Sequence, residues 1–223
     1  MSDHLVDIGE VIVHGVMFDP KNVEVWRSVD IAQNIYRSVP RLFELLDERS
    51  IDYVLVGGIA MLAYVEGRNT QDIDLIVDAA DLAKLPEIRI EDQNQEFARG
   101  WFGDLRVDFL FTKEGLFETV RRKYATKKRF VDREVPCATT EGLLLMKLSA
   151  LPDKYRRGHF EKVRQYETDA ANLIERYRPD TTPLFDELTK HMLPGDVVEI
   201  RTIVAEIENR LARQSQRFGP AAQ

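Results

Sequence analysis

The sequence predicts an α/β (α+β) protein, in which a mixed twisted sheet flanked by helices precedes a C-terminal helical bundle. A fully apolar run, 53–56, ends in a glycine pair, as expected where a buried strand turns into a helix. Two later segments, 71–77 and 106–111, alternate apolar and polar residues like half-buried strands. After Thr139 the apolar residues recur at helical spacing.

These patterns divide the chain into parts. We expect an α/β domain at 1–138 with an N-terminal helical extension at 28–49, a helical domain at 139–213 and a flexible tail at 214–223. In the first part, the run at 11–13 predicts a short strand, and Pro40 divides the helical extension into two helices.

The remaining elements follow from apolar periodicity and from glycine and proline positions. In the first domain we expect a strand at 52–56, a helix at 58–66, a strand at 71–77, one helical turn at 81–85, strands at 87–90, 95–102 and 106–111 with a hairpin turn at Gly103-Asp104, a helix at 114–124, and strands at 127–131 and 134–138. In the second domain we expect helices at 142–151, 158–177, 182–192 and 195–213, the first of them capped by Thr139 or Thr140 and ended by Pro152.

The composition is that of an ordinary globular protein. Of 223 residues, 44% are apolar and 31% are charged. No apolar stretch reaches the roughly 18 residues that span a bilayer, so we expect no membrane among the partners. The acidic start MSDHLVDIGE lacks the basic region of a secretory signal, and Cys137 is the single cysteine. We therefore expect a cytoplasmic protein.

Charge is unevenly distributed along the chain. The net charge of −7 argues against indiscriminate nucleic-acid binding. Residues 113–164, however, carry 14 basic and 7 acidic side chains, a net of +7, and the remainder carries 17 and 31, a net of −14. Such a segment can bind a polyanion or can form solvated helix faces, and both interpretations stay open.

Three aspartates predict metal chemistry. Side chains alternate along a strand, so Asp72 and Asp74 share one face. Asp108 leaves its strand on the face opposite Val107 and Phe109, so the three acids converge if the two strands are neighbours. Carboxylates this close need a cation between them, and hard oxygen ligands suit Mg²⁺ or Mn²⁺. Strand-end acids in solvent, without a metal, are the alternative.

Gly57 and Gly58 lie between a predicted strand and a predicted helix. Glycines at such a turn let backbone N–H groups approach phosphates, with help from the helix dipole. A tight strand-to-helix turn without a ligand has the same composition. Together with the three carboxylates, however, the pair suggests metal-dependent nucleotidyl transfer.

These residues resemble the nucleotidyltransferase superfamily typified by DNA polymerase beta. Its pattern of a glycine pair, Asp-x-Asp and a later strand acid matches Val56-Gly57-Gly58, Asp72-Ile73-Asp74 and Asp108. The resemblance implies the nucleotidyltransferase fold, catalysis by the three aspartates with two Mg²⁺ (or Mn²⁺) ions, and a nucleoside triphosphate substrate, with ATP among the candidates. Ile59 stands where many relatives carry a hydroxyl, so phosphate binding would rest on backbone N–H groups and cations.

A narrower resemblance is to the AbiEii-type proteins and MenT toxins of bacterial toxin–antitoxin systems. Arg68-x-Thr70-x-Asp72 and Lys147-Leu148-Ser149-Ala150 carry it. It implies a set of nucleotide-binding residues from both parts of the chain: Gly57, Gly58, Arg68, Thr70, Lys147 and Asp169. In this subgroup a later helix carries an arginine, and the resemblance implies that Arg156 or Arg157 is its counterpart here.

Lys147 also stands out without the resemblance, because the run 143–148 is otherwise apolar. A buried ammonium must snorkel to solvent, pair with an acid or bind a ligand anion. Asp169 lies beside the apolar stripe of the long helix. It fits a structural ion pair with Lys147 or an arginine as well as it fits a catalytic role.

We therefore expect an enzyme that moves an NMP from a nucleoside triphosphate to an acceptor hydroxyl of tRNA or protein and releases pyrophosphate. The toxin-like resemblance implies a toxin of a toxin–antitoxin system, with a cognate antitoxin as partner. Two alternatives stay open. One is a non-catalytic nucleotide-binding regulatory or antitoxin partner, and the other is a small-molecule (antibiotic) nucleotidyltransferase.

Overall fold

A computed structural model of the chain describes residues 5–19, 29–113 and 115–218. The parts of the predicted domains at 1–4, 20–28, 114 and 219–223 lie outside these ranges. The chain forms two compact units, Met1–Thr139 and Thr140–Gln223. Within the described ranges, no helix combines the length and the apolar character that crossing a membrane requires.

The first unit mixes helices and strands. Its described elements are α1 (Ile8–Met17), α2 (Val29–Glu48), β1 (Tyr53–Val56), α3 (Gly57–Leu62), β2 (Asp72–Val77), a 3-10 helix (Ala79–Lys84), β3 (Arg89–Gln93), β4 (Phe97–Phe102), β5 (Leu105–Phe111), α4 (Gly115–Lys123), β6 (Ala125–Arg129) and β7 (Glu134–Ala138). The predicted hairpin turn joins β4 to β5, and Gly103 adopts a positive φ of 60° there.

The seven strands of the described residues form one mixed sheet in the order β3-β4-β5-β2-β1-β7-β6. β2 is antiparallel to β1 and parallel to β5, and β1 is parallel to β7. Every side chain of β1 is buried, which explains its unbroken apolar run. Helices α2 and α4 contact β5, and α3 contacts β1 and β2, so the predicted mixed sheet flanked by helices is confirmed.

Alternation gives β2 and β5 two different faces. Ile73 and Leu75 on β2, and Val107 and Phe109 on β5, are fully buried on one face. The three aspartates lie on the opposite face and are partly exposed. The apolar face therefore holds the strands in register while the acids stay accessible.

The predicted strand at 11–13 is wrong, because these residues lie within α1. Asp7 caps the helix, and its Oδ1 accepts a hydrogen bond from the backbone N–H of Glu10 at 3.0 Å. Ile12 and Gly15 are both buried, at a spacing that brings them to one helical face. The cap and this buried face outweigh the strand preference of the β-branched run.

Neither predicted proline break occurs. The extension expected as two helices at 28–49 is the single helix α2, which continues through Pro40. The first helix of the second unit likewise continues through Pro152. An interior proline costs about 3 kcal/mol, but apolar neighbours such as Leu42 and Leu151 are fully buried next to these prolines. Packing of the apolar stripe therefore carries each helix past its proline.

The second unit is a helical bundle of α5 (Thr140–Arg156), α6 (Phe160–Tyr177), α7 (Thr182–His191) and α8 (Pro194–Phe218). α5 contacts the other three helices, and α8 contacts α6 and α7. α8 continues into the tail predicted as flexible at 214–223, because no glycine or proline interrupts residues 196–218.

The thiol of Cys137 reports whether solvent reaches the core of the first unit. It lies on β7 opposite Leu55 and is fully buried, and this burial raises the pKa of its thiol to about 12. About 10⁻⁴ of such a thiol is ionised at pH 8, so the folded protein should not react with Ellman's reagent. In urea the same assay should titrate one thiol per chain. Rapid reaction of the folded protein would contradict the closed core.

Candidate active site

Three carboxylates meet on the polar face of the sheet. The parallel pairing of β2 with β5 sets Asp74 opposite Asp108 and Asp72 opposite Arg106. One carboxylate oxygen from each of the three aspartates lies within 4.8 Å of the other two, and each residue is partly buried. The structure thus brings together the acids that the sequence predicted to converge.

The chemistry of this acid cluster suits a divalent cation. Carboxylate oxygens are hard ligands, which Mg²⁺ binds at about 2.1 Å. Oxygens within 4.8 Å of one another can converge on a shared ion. Three negative charges so close also repel one another unless positive charge lies near them. Asp72, Asp74 and Asp108 therefore fit the ions that the nucleotidyltransferase resemblance implies.

Gly57 makes room for one of the three acids. Its φ is +65°, and a Cβ added there would lie 1.7 Å from Oδ2 of Asp74. Only glycine accommodates both the backbone conformation and the carboxylate. The turn after β1 is thereby fixed against the acid cluster. Because α3 has only six residues, its dipole adds little, and phosphate binding by Gly57 and Gly58 stays a prediction.

Thr70 and Arg68 pack against the second glycine. The Thr70 hydroxyl is buried and donates a hydrogen bond to Oδ1 of Asp72 at 3.0 Å. A Cβ added at Gly58 would lie 2.3 Å from Oγ1 of Thr70 and 3.2 Å from Nε of Arg68. The structure thus gathers the predicted nucleotide-binding residues of the first unit beside Asp72. Their role toward a triphosphate stays a prediction.

Helix α1 packs against the segment that carries Thr70, and the sequence did not reveal this contact. A Cβ added at Gly15 would lie 2.1 Å from the carbonyl oxygen of Thr70. The Gln71 side chain donates a hydrogen bond to Oδ2 of Asp19 at 2.7 Å. More than 50 residues separate these partners in sequence, so no local pattern links them.

Two arginines that the sequence did not single out bind Asp108. Nε of Arg99 lies 3.2 and 3.3 Å from the two carboxylate oxygens, and Nη2 lies 3.3 Å from Oδ2. Nε of Arg106 donates to Oδ1 at 3.4 Å. The hydrogen bond with Asp108 raises the pKa of Arg99. Strand alternation alone could have placed Arg106 beside Asp108, whereas Arg99 depends on the register between β4 and β5.

In the second unit, Lys147 and Asp169 form a buried ion pair. Nζ of Lys147 lies 3.2 Å from Oδ2 of Asp169, and the two residues are 7% and 5% exposed. The ammonium also lies 4.4 Å from the centroid of the Tyr166 ring. Pairing with an acid was one of three outcomes that the sequence left open for Lys147. The roles of Lys147 and Asp169 toward a triphosphate stay predictions.

The arginines after Pro152 are engaged within the same unit. Nη1 of Arg156 lies 2.8 Å from Oδ1 of Asp196, and Nε of Arg157 lies 2.7 Å from Oδ1 of Asp153. Both guanidinium groups are well exposed, so these pairs add little stability. Neither pair tests whether one of the arginines contacts a nucleotide.

Comparison of the sequence with protein-family models and with curated proteins finds no match. In structure, the chain is similar to an antigenic nucleotidyltransferase-like protein from Paracoccidioides brasiliensis. The TM-score is 0.54 at 17% identity, and the match covers 80% of this chain and 88% of that one.

Two solved structures of the antibiotic-resistance factor ANT(2'')-Ia are also similar, one of them in complex with adenylyl-2''-tobramycin. Their TM-scores are 0.46 and 0.44 at 15% identity, with 81% and 77% of this chain and 94% and 95% of theirs covered. Scores this low add nothing to the fold assignment. From the Paracoccidioides brasiliensis protein alone, the predicted nucleotidyltransferase fold is confirmed. The narrower resemblance to AbiEii-type and MenT toxins stays a prediction.

Replacing Gly57 by alanine should displace Asp74. We expect Gly57→Ala to lower the free energy of unfolding by about 1–2 kcal/mol from backbone strain and to weaken Mn²⁺ binding, measured by urea unfolding and calorimetry. Gly67→Ala is the matched control, because Gly67 has a φ of +77° with nothing within 4 Å of an added Cβ. The control should lose a similar free energy of unfolding from backbone strain, but it should bind Mn²⁺ as the wild type does. Equal Mn²⁺ binding by both variants would contradict the contact with Asp74.

The Lys147–Asp169 pair predicts a non-additive stability effect. Lys147→Met leaves a buried carboxylate and should cost about 3 kcal/mol or more in urea unfolding. Lys147→Met combined with Asp169→Leu should recover most of the loss. Lys154→Met, which removes a more exposed pair with Asp153, should change stability by less than about 1 kcal/mol. A double variant no more stable than Lys147→Met would rule out the pair as the source of the loss.

Proposed function

We propose that this protein is a metal-dependent nucleotidyltransferase that moves an NMP from a nucleoside triphosphate to an acceptor hydroxyl on RNA. One observation carries the proposal: Asp72, Asp74 and Asp108 converge within 4.8 Å on a sheet whose fold is shared with a nucleotidyltransferase-like protein. Carboxylates from two neighbouring strands are what a pair of divalent ions needs.

The proposed reaction is an in-line displacement at the α-phosphorus. The acceptor oxygen forms a bond to that phosphorus, the bond to the oxygen bridging the α- and β-phosphates breaks, and pyrophosphate leaves. When bound, two Mg²⁺ or Mn²⁺ ions would neutralise charge on the phosphates and lower the pKa of the acceptor hydroxyl. Positioning and electrostatic stabilisation would then provide the rate enhancement.

The aspartates have separate proposed roles. Asp72 and Asp74 lie on one strand and would hold both ions. Asp108, on the neighbouring strand, would hold the ion nearest the acceptor and would take up the proton that the acceptor hydroxyl releases. The hydrogen bond from Thr70 to Asp72 fixes the orientation of one of these carboxylates.

The triphosphate would bind at the glycine turn. Gly57 and Gly58 offer close backbone approach, and the Arg68 guanidinium lies beside Gly58. Thr70 donates its hydroxyl proton to Asp72 and would orient that carboxylate next to the phosphates. For Lys147 and Asp169 in the second unit, the proposed role is the one that the resemblance implies, contact with a nucleotide.

Two partly exposed arginines beside Asp108 suit an anionic acceptor. Arg99 and Arg106 are 37% and 35% exposed beside this carboxylate. With the three carboxylates neutralised by bound ions, both guanidinium groups would attract the phosphates of RNA. The exposed basic strand β6 and the basic end of α4 add positive charge to the same unit. Modification of a tRNA would stop translation, which fits a toxin held in check by a cognate antitoxin.

A labelling experiment tests this function. Each α-labelled triphosphate is incubated with the protein, Mg²⁺, total RNA and lysate protein, and the labelled product is identified. We expect label in RNA, and a rate about 10³-fold lower for Asp108→Asn. Asp47→Asn, at an exposed acid on the helix α2, is the control and should keep the wild-type rate.

The other outcomes separate the alternatives. Label in protein, or on an aminoglycoside supplied instead of RNA, would contradict RNA as the acceptor but would support the transferase activity. Nucleotide binding without pyrophosphate release under any condition would favour a regulatory nucleotide-binding protein. Wild-type transfer by Asp108→Asn would contradict the assigned role of the acid cluster.

A further inference from the structure

The contact between Arg99 and Asp108 lies at the β4 side of the proposed metal site. Antiparallel pairing of β4 with β5 sets Arg99 directly opposite Asp108, and parallel pairing of β5 with β2 sets Asp108 opposite Asp74. The three residues therefore form one row across three adjacent strands. The guanidinium reaches both oxygens of Asp108, at 3.2 and 3.3 Å through Nε.

The two arginines at Asp108 differ in strength. Arg99 donates through Nε and Nη2, so it holds the carboxylate with a planar fork. Arg106 makes a single contact at 3.4 Å. The Arg99 guanidinium also lies 5.9 Å from the centroid of the Phe97 ring, two residues earlier on the same strand. Arg99 is thus the better-placed cation.

From this geometry we propose that Arg99 is a positioning residue that competes with a divalent ion for Asp108. The inference rests on the proposed function, because it concerns the same three acids. Without an ion, the guanidinium neutralises Asp108 and lets three carboxylates lie together. An ion that takes Asp108 as a ligand must share or displace the hydrogen bonds that Arg99 makes to the same oxygens.

Competition of this kind has a defined thermodynamic consequence. The free energy of the Arg99–Asp108 contact is lost, in part, each time an ion binds. Removing the guanidinium should therefore strengthen ion binding, while destabilising the ion-free protein. A structural role for Arg99 alone would produce the second effect without the first.

The test is Mn²⁺ binding to the full chain without nucleotide, measured by calorimetry and by the electron paramagnetic resonance of free Mn²⁺. We expect Arg99→Gln to bind Mn²⁺ about five- to tenfold more tightly than wild type. Arg99→Lys keeps the charge but loses the fork, and should lie between them. Arg41→Gln removes another arginine that bonds carboxylates, on the surface of α2, and should match wild type.

Thermal unfolding supplies a second readout. Arg99→Gln should melt below wild type in a chelator, and saturating Mn²⁺ should raise its Tm by more than it raises the wild-type Tm. Equal Mn²⁺ affinity in wild type, Arg99→Gln and Arg99→Lys would overturn the competition and leave the proposed transferase intact. Absence of Mn²⁺ binding in every form would overturn both the competition and the metal role of the acids.

Discussion

The mutual repulsion of three carboxylates on two adjacent strands is the constraint around which the first unit is arranged. Strand pairing forces Asp74 and Asp108 to lie opposite each other, and Asp72 joins them on the same face. The protein offsets this repulsion with its own groups, since Thr70 donates to Asp72 and Arg99 to Asp108. Neighbouring elements therefore belong to the site even where they carry no acid.

The same alternation that exposes the acids builds the core. On β5, the buried residues Val107 and Phe109 flank Asp108, so a slip of one residue would turn the carboxylate into the apolar side and bring an apolar side chain out. Core packing thus specifies the register, and the register specifies which charges meet. Stability and site geometry cannot be tuned separately on these strands.

Local pattern was enough to predict β1, β2 and β5 and the face on which each acid lies. It was not enough to predict Arg99, because cross-strand partners are decided by register and sheet order rather than by spacing within a segment. The strand expected at 11–13 failed because β-branched residues also fit a capped helix whose buried face includes Gly15. The expected break at Pro40 was wrong for a related reason. The free energy that the proline costs is smaller than the free energy that packing of the surrounding helix provides.

The closeness of Gly15 to Thr70 inverts the usual rule for residues inside a helix. Alanine is the best helix former, and glycine in a helix interior is about 1 kcal/mol worse. At Gly15, however, the alanine methyl group would lie 2.1 Å from a backbone oxygen of the residue whose hydroxyl holds Asp72. Intrinsic propensity at this position is overruled by the backbone carbonyl of Thr70, more than 50 residues away in the chain. Replacing Gly15 by alanine to stabilise α1 would therefore damage the site that the helix supports.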